Sequence, residues 1–236
     1  QTVGLFHEAR FEAVLARVDR VCAAYDGDLA GALVQRYGED SRITATGYRA
    51  WALSFTGHVD AARGAVAQAV EWGRGLDHAA SLCMALLNGA ARNGLWLRDP
   101  ETVITASAEA LQLARRQSLP LWQHYAQLQL GLALAQTGKA AEVAMLAEGL
   151  ERFARSGVRV LETPNLTLLA EAQLRIGDKT AAGRTLAAAR DAIGRSEDLP
   201  FEPDLSRAEA RLALADGADR ARARAHLAHA LAVARA

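Results

Sequence analysis

The segment LPLWQHYAQLQLGLALAQTGKAAEVAMLAEGLERFARSG, residues 119–157, decides the fold. It contains two runs in which apolar residues recur at three- and four-residue intervals, and this spacing predicts two amphipathic helices. The break between them is Thr137-Gly138-Lys139, where Gly138 permits the turn, and Gly131 allows the two helices to approach closely. A hairpin of two such helices cannot bury both apolar faces alone. We therefore expect similar hairpins on either side of it.

The composition favours an all-α protein of ordinary globular character. Apolar residues make up 51% of the chain, mostly the helix formers Ala and Leu, and the formal net charge is +0. A neutral chain argues against a dedicated nucleic-acid surface, because phosphate binding requires accumulated positive charge. No apolar run reaches the roughly 20 residues of a membrane span, so no membrane partner is predicted. The isolated Cys22 and Cys83 indicate a reducing cytoplasm, and the opening at Gln1 indicates a piece of a longer protein.

Turn signals divide the chain into successive helix pairs within one predicted domain, residues 1–236. Ser41 is the predicted N-cap of the first complete pair, and Asp99-Pro100 is predicted to start a helix without a glycine turn. A partial pair (1–25) and an irregular connection (26–40) precede five full pairs, at about 41–75, 77–117, 119–156, 163–194 and 203–235.

An internal repeat of about forty residues supports this division. The predicted turns recur at intervals of 39 to 48 residues, and small residues stand seven positions before five of them. The turn positions are Ala9, Gly57, Arg98, Gly138, Gly177 and Gly217, and the small residues are Ala50, Ala91, Gly131, Ala170 and Ala210. Small residues at facing positions of antiparallel helices permit close packing, so the columns and turns together predict stacked hairpins.

This pattern resembles the tetratricopeptide repeat (TPR) family. The resemblance implies a right-handed superhelix of antiparallel helix pairs, an α-solenoid, with about 10–11 helices. The period is longer than the 34 residues typical of that family, and HEAT-type repeats have a closer period. However, the first helices of this chain have no recurring Pro of the kind that HEAT repeats carry. A HEAT-type fold is therefore the second choice.

A narrower resemblance is to the C-terminal repeat region of large bacterial signalling ATPases, linked to cyclase-type or winged-helix domains. It is carried by Arg36-Tyr37-Gly38-Glu39-Asp40, Ser81-Leu82-Cys83, Leu119-Pro120-Leu121-Trp122 and Pro203-Asp204-Leu205. The resemblance implies a regulatory segment of a larger chain that lacks the ATPase and cyclase chemistry.

Motifs of catalysis and metal binding are incomplete, so we predict no enzyme, no cofactor and no metal site. The run starting His7-Glu8 lacks the second His of a zinc-protease motif, and Gly73-Arg74-Gly75 follows a helix where a dinucleotide site needs a strand. His226 and His229 lie three residues apart on one helix, and two solvent-facing histidines are the simpler interpretation.

Candidate binding residues lie one turn from the small-residue column, on the first helix of each pair. The TPR resemblance implies that this face lines the concave side of the superhelix. Arginines beside aromatics suit carboxylates and aromatic anchors at an interface, while the alternative is packing between repeats. The residues are Trp51, Asn88, Arg92, Tyr125, Leu128, Glu171, Arg175, Arg207 and Arg211.

The sequence therefore predicts a non-catalytic interaction or regulatory domain. Its partner is expected to be a protein, a peptide or helix, or a neighbouring domain of the parent chain, bound on the concave face. The alternative is a sensor domain with a closed pocket for a small molecule or signalling peptide. A homodimer stays open, since nothing in the sequence decides the oligomeric state.

Overall fold

A computed structural model describes residues 2–25, 31, 34–36, 38–155, 161–196, 198–215, 217 and 219–235. These residues form helices joined by short turns, and no strand occurs among them. The all-α prediction is thus confirmed. Parts of the predicted connection 26–40, together with Ser156, Gly157 and Asp216, lie outside the described residues.

Twelve helical stretches of the described residues are labelled here in chain order. They are α1 (Thr2–His7), α2 (Phe11–Ala23), α3 (Ser41–Phe55), α4 (Val59–Gly75), α5 (79–96), α6 (Pro100–Arg116), α7 (Pro120–Ala135), α8 (Ala140–Arg155), α9 (Glu162–Arg175), α10 (Lys179–Ser196), α11 (Glu202–Ala215) and α12 (Arg220–Arg235). A 3₁₀ turn, Leu199–Phe201, precedes α11. Helices adjacent in the chain pack against each other, as in α3 with α4, α9 with α10 and α11 with α12.

The α5 stretch is not a uniform α-helix. It consists of α-helical Ala79–Met84, π-helical Ala85–Ala91 and α-helical Arg92–Trp96. Hydrogen bonds in a π-helix reach the fifth residue, so the turn is wider than in an α-helix, and such segments often occur at functional sites. Apolar periodicity alone did not predict this change of register.

The chain divides into two compact units. Unit 1 comprises residues 1–6 and 10–133, and unit 2 comprises 7–9 and 134–236. In unit 1, the Phe6 ring lies 5.4 to 5.7 Å from the rings of Tyr48, Trp51 and Phe55, which together fill an aromatic core. In unit 2, Leu186, Ile193 and Leu205 are buried between α10 and α11.

All six predicted turn positions have left-handed backbone conformations. Gly57, Gly138, Gly177 and Gly217 have φ of 82 to 94°, while Ala9 and Arg98 have φ of 57° and 55°. Glycine adopts this conformation without the steric cost that a Cβ imposes. The predicted turn register is confirmed, including the position where Arg98 replaces glycine.

The predicted N-cap at Ser41 is wrong by one residue. Asp40 is the cap of α3, and its carboxylate accepts hydrogen bonds from the backbone N–H groups of Arg42 (2.8 Å) and Ile43 (3.3 Å). Both residue types cap helices well, so sequence preference alone did not separate them. At α6 the prediction is confirmed, because Asp99 accepts from the Thr102 N–H at 3.1 Å with Pro100 in the first turn.

Candidate functional site

Four of the predicted binding residues form one connected cluster in unit 1, on α3, α5 and α7: Trp51, Asn88, Arg92 and Tyr125. The indole Nε1 of Trp51 donates to the carbonyl oxygen of Asn88 at 2.7 Å. The Tyr125 hydroxyl donates to the side-chain Oδ1 of Asn88, also at 2.7 Å. In both pairs the partners are 37 residues apart, three or four fewer than the intervals of 41 and 40 residues between the turns, so each contact joins neighbouring first helices about one helical turn out of repeat register. Asn88 therefore ties three helix pairs together at its position in the π-helical segment.

Arg92 lies one turn below Asn88 and is fully buried. Its guanidinium carbon is 5.4 Å from the centre of the Trp96 ring and 5.9 Å from that of Tyr125. Burial lowers the pKa of the Arg92 guanidinium from its ordinary value, while its interactions with Tyr125 act in the opposite direction. The aromatic faces favour a cation at this point, which offsets part of the desolvation cost.

Gln129 also belongs to this cluster, although it was not among the residues predicted from the sequence. With its amide oxygen turned toward Arg92, it accepts from Nε at 3.1 Å and from Nη2 at 3.2 Å. Gln129 is fully buried and lies one turn after Tyr125 on α7. The sequence feature that could have identified Gln129 is a polar residue four positions after Tyr125, on the same helix face, within a strongly apolar run.

The cluster has a buried base and a partly exposed top. Trp51, Arg92 and Gln129 are at most 1% exposed, whereas Asn88 and Tyr125 are only partly buried. Trp51 holds the Asn88 backbone carbonyl, the Tyr125 hydroxyl holds the Asn88 side chain, and Arg92 lies against the Tyr125 ring, so both groups are held in place before any partner arrives. Leu128, also a predicted binding residue, is 6% exposed and packs in the interior. For Trp51 and Leu128 the packing alternative is the one that burial supports.

The other predicted residues, one glutamate and three arginines, lie in unit 2, and each pairs with a neighbouring side chain. Glu171 is 1% exposed, and its Oε1 lies 3.7 Å from Arg207 Nη2 and 3.4 Å from Arg211 Nη1. Arg207 also contacts Asp204 at 2.7 Å. Arg175 Nη1 donates to Gln136 Oε1 at 3.0 Å. The three arginines are thus held by neighbouring side chains at one side and exposed at the other.

The sequence favoured two solvent-facing histidines, but in the structure His226 and His229 each contact a carboxylate. His226 Nδ1 lies 3.1 Å from Glu209, and His229 Nε2 lies 2.8 Å from Glu202. Arg190 binds the same two carboxylates, at 2.6 Å to Glu209 and 3.0 Å to Glu202, and these contacts raise the pKa of its guanidinium. Within the described part of the chain, no group of three His, Cys, Asp or Glu residues is arranged to hold a metal ion.

Neither cysteine forms a disulfide. Cys83 is buried, and this burial raises the pKa of its thiol to about 11, so the thiol stays protonated at neutral pH. A buried, protonated thiol packs as a small apolar group.

No helix among the residues described is both long and apolar enough to cross a bilayer. Comparison with known proteins yields no match to a protein-family model, to a curated protein or to a solved structure.

Proposed function

We propose that this chain is a non-catalytic interaction domain that binds a peptide, a helix or a neighbouring domain through the surface at Asn88 and Tyr125. The observation that carries the proposal is the bridge between these two side chains, anchored on the buried Arg92 and Gln129. The partly exposed side chains of Asn88 and Tyr125 offer hydrogen-bond donors and acceptors to a partner. Because they are already held in place, they lose little conformational entropy when a partner binds.

The architecture in this proposal is a TPR-like right-handed superhelix, an α-solenoid, in which α3, α5 and α7 are first helices of successive pairs. The hydrogen bonds from Trp51 to Asn88 and from Tyr125 to Asn88 support it, because they join α3 to α5 and α7 to α5. In such a superhelix, first helices line the concave side and present side chains to an extended or helical ligand.

The resemblance to bacterial signalling ATPases supports a regulatory place for the domain in a larger cytoplasmic chain. Binding at Asn88 and Tyr125 would then favour one conformation of the parent protein over another. The alternative is a sensor domain that encloses a small molecule or a signalling peptide in a pocket, instead of binding an extended or helical segment on an open face.

A library of random linear peptides, displayed and selected against this chain, tests the proposal. We expect selected peptides, synthesised and measured by fluorescence anisotropy, to bind at least about tenfold more weakly to Tyr125→Ala and Asn88→Ala, since each loses an anchoring group. His124→Ala is the matched control, because His124 is the exposed neighbour of Tyr125 on α7. Peptides that bind both site variants as tightly as the unaltered chain would contradict the proposal.

A further inference from the structure

A groove in unit 2 has none of the predicted binding residues among its lining residues. It runs between α8 and α10, with α9 as its floor, and has a cavity volume of about 700 Å³. The residues that α8 contributes recur at three- and four-residue spacing along the helix, and those of α10 do the same. Such spacing places them on one face of each helix, so the groove follows the helices lengthwise.

The walls of the groove are apolar and partly small. Several alanines on α8 and α10 leave room between these helices, Leu150 and Phe153 of α8 add larger apolar surface, and leucines of α9 close the bottom. Representative lining residues are Val143, Ala147, Leu150, Leu166, Leu169 and Ala188. An apolar channel between helices is the shape that receives the apolar face of a further helix.

One buried polar atom in the groove points to an occupant with N–H donors. Gln173 lines the groove and is 7% exposed, and its Oε1 has no hydrogen-bond partner among the described residues. A buried amide oxygen without a donor is costly. A donor entering the groove would satisfy it.

Carboxylates lie at both ends of the groove. Glu151 and Glu162 line one end and Asp178 the other, while Arg184 is the one cation among the lining residues identified. Arg195 lies 3.3 Å from Glu162, and Arg155 lies 4.0 Å from Glu151 in an exposed pair, which is weak. Asp178 accepts from the N–H of Ala181.

The chain itself presents a complementary helix. On α12, Leu227 is 42% and Leu231 56% exposed, four residues apart on one face. Arg220, Arg224 and Arg235 continue this face beyond the leucines, and all three are exposed. No ion pair of these three arginines occurs within the described ranges. This face, called the α12 face below, is thus apolar at its centre and cationic at both ends.

We propose that the α12 face of one copy of this chain docks in the groove of a second copy. The lengths agree: α9 has 14 residues and α12 has 16, or about 21 Å and about 24 Å. Leu227 and Leu231 fill the apolar centre, and the terminal arginines meet the carboxylates at the two ends. An arginine N–H also supplies the donor that Gln173 Oε1 lacks.

The interface is heterologous, because the groove and the α12 face are different surfaces of one chain. Each copy can therefore donate its helix to one neighbour and accept a helix from another. A single helix in a groove is a small contact, so we expect reversible association in the micromolar range.

Sedimentation equilibrium of the purified chain over a range of concentrations tests the proposal. We expect the average mass of the unaltered chain to rise with concentration and to rise less at high salt, because arginines meet carboxylates. Ala147→Trp fills the groove and Leu231→Glu places a charge in the apolar centre. Each is expected to weaken self-association at least about tenfold.

Matched controls lie on the same two helices, outside the contact. Met145 is 71% exposed on α8 and does not line the groove, and Ala225 is exposed on the side of α12 opposite the leucines. Met145→Trp and Ala225→Glu should therefore associate like the unaltered chain. Ala188→Arg, at the exposed edge of the groove, provides a second groove variant if Ala147→Trp does not fold.

Mixing the two defective variants gives the decisive result. Ala147→Trp keeps an intact α12 face and Leu231→Glu keeps an intact groove, so we expect a one-to-one complex from two chains that do not self-associate. The proposal is overturned if the unaltered chain stays monomeric throughout, if the groove variants self-associate normally, or if the mixture forms no complex.

Discussion

At the scale of single residues, burial rather than residue type decides what a polar group does. Arg92 was predicted as a surface residue on the inner face, and the structure buries it against two aromatic rings and Gln129. Arg42 is similar, with its guanidinium carbon 4.0 Å from the ring centres of both Tyr25 and Trp72. Tyr125 and Gln129 lie on α7 and Trp72 lies on α4, whereas Arg92 and Arg42 lie on α5 and α3, so the proximity of these pairs is not visible along the sequence.

The surroundings of Tyr25 predict a pH dependence of stability that can be measured. Burial and, next, its hydrogen bond to Asp40 raise the pKa of the Tyr25 phenol to about 12. The folded-state pKa thus lies above the unfolded value of about 10, so the protonated phenol stabilises the fold at any pH below about 10. We expect this contribution to the free energy of unfolding to disappear as the pH rises through about 12, measured by urea unfolding at successive pH values.

Tyr25→Phe is the control for this pH dependence, because it keeps the ring and removes the titrating hydroxyl. The variant should lack the Tyr25 component of the decline above about pH 10. A decline that is equally steep in both proteins would show that Tyr25 is not its source.

At the scale of helices and turns, backbone geometry follows the sequence closely. The turn positions predicted from the forty-residue repeat all adopt positive φ, although two of them carry a Cβ. Turn register is local: a helix ends, one residue takes the left-handed conformation, and the next helix begins. The π-helical segment of α5 was not predicted, because it depends on the packing of Ala85–Ala91 against several neighbours.

Arg98 is therefore the turn position at which we expect a substitution by glycine to increase the stability of the fold. Its φ of 55° costs a residue with a Cβ about 1 kcal/mol relative to glycine. Arg98→Gly should raise the free energy of unfolding by up to about that amount, measured by denaturant unfolding.

Gly177→Ala is the opposite test at an equivalent turn. Gly177 has φ of 84°, and a Cβ there would meet no atom within 4 Å, so backbone strain alone sets the cost. We expect a loss of about 1 kcal/mol. An Arg98→Gly variant as destabilised as Gly177→Ala would show that contacts of the Arg98 side chain outweigh the strain.

At the scale of the whole molecule, stability is expected to be distributed over neighbouring helices. The strongest packing joins helices adjacent in the chain, and the core of each unit is formed within that unit. In a repeat protein each element depends mainly on its nearest neighbours, so a local loss of packing spreads only a short distance.

Leu205→Ala tests this expectation by hydrogen exchange and mass spectrometry. Leu205 is fully buried in unit 2, and its truncation should cost about 2–5 kcal/mol. We expect amide exchange to accelerate most in α9–α12 and least in α3–α5. An equal acceleration in every helix would indicate one cooperative core and would contradict the solenoid proposal.

The sequence by itself determined the all-helical class, the order of the helix pairs and the turns, because these depend on periodicity and on residues close together in the chain. It also placed Asn88, Arg92 and Tyr125 among the nine candidate binding residues predicted from their position near the small-residue column. Only the tertiary structure decided that Arg92 is buried, that Gln129 joins it, and that α8, α9 and α10 leave an open groove. Burial and cavities are set by the distance between helices, and that distance depends on side chains far apart in sequence.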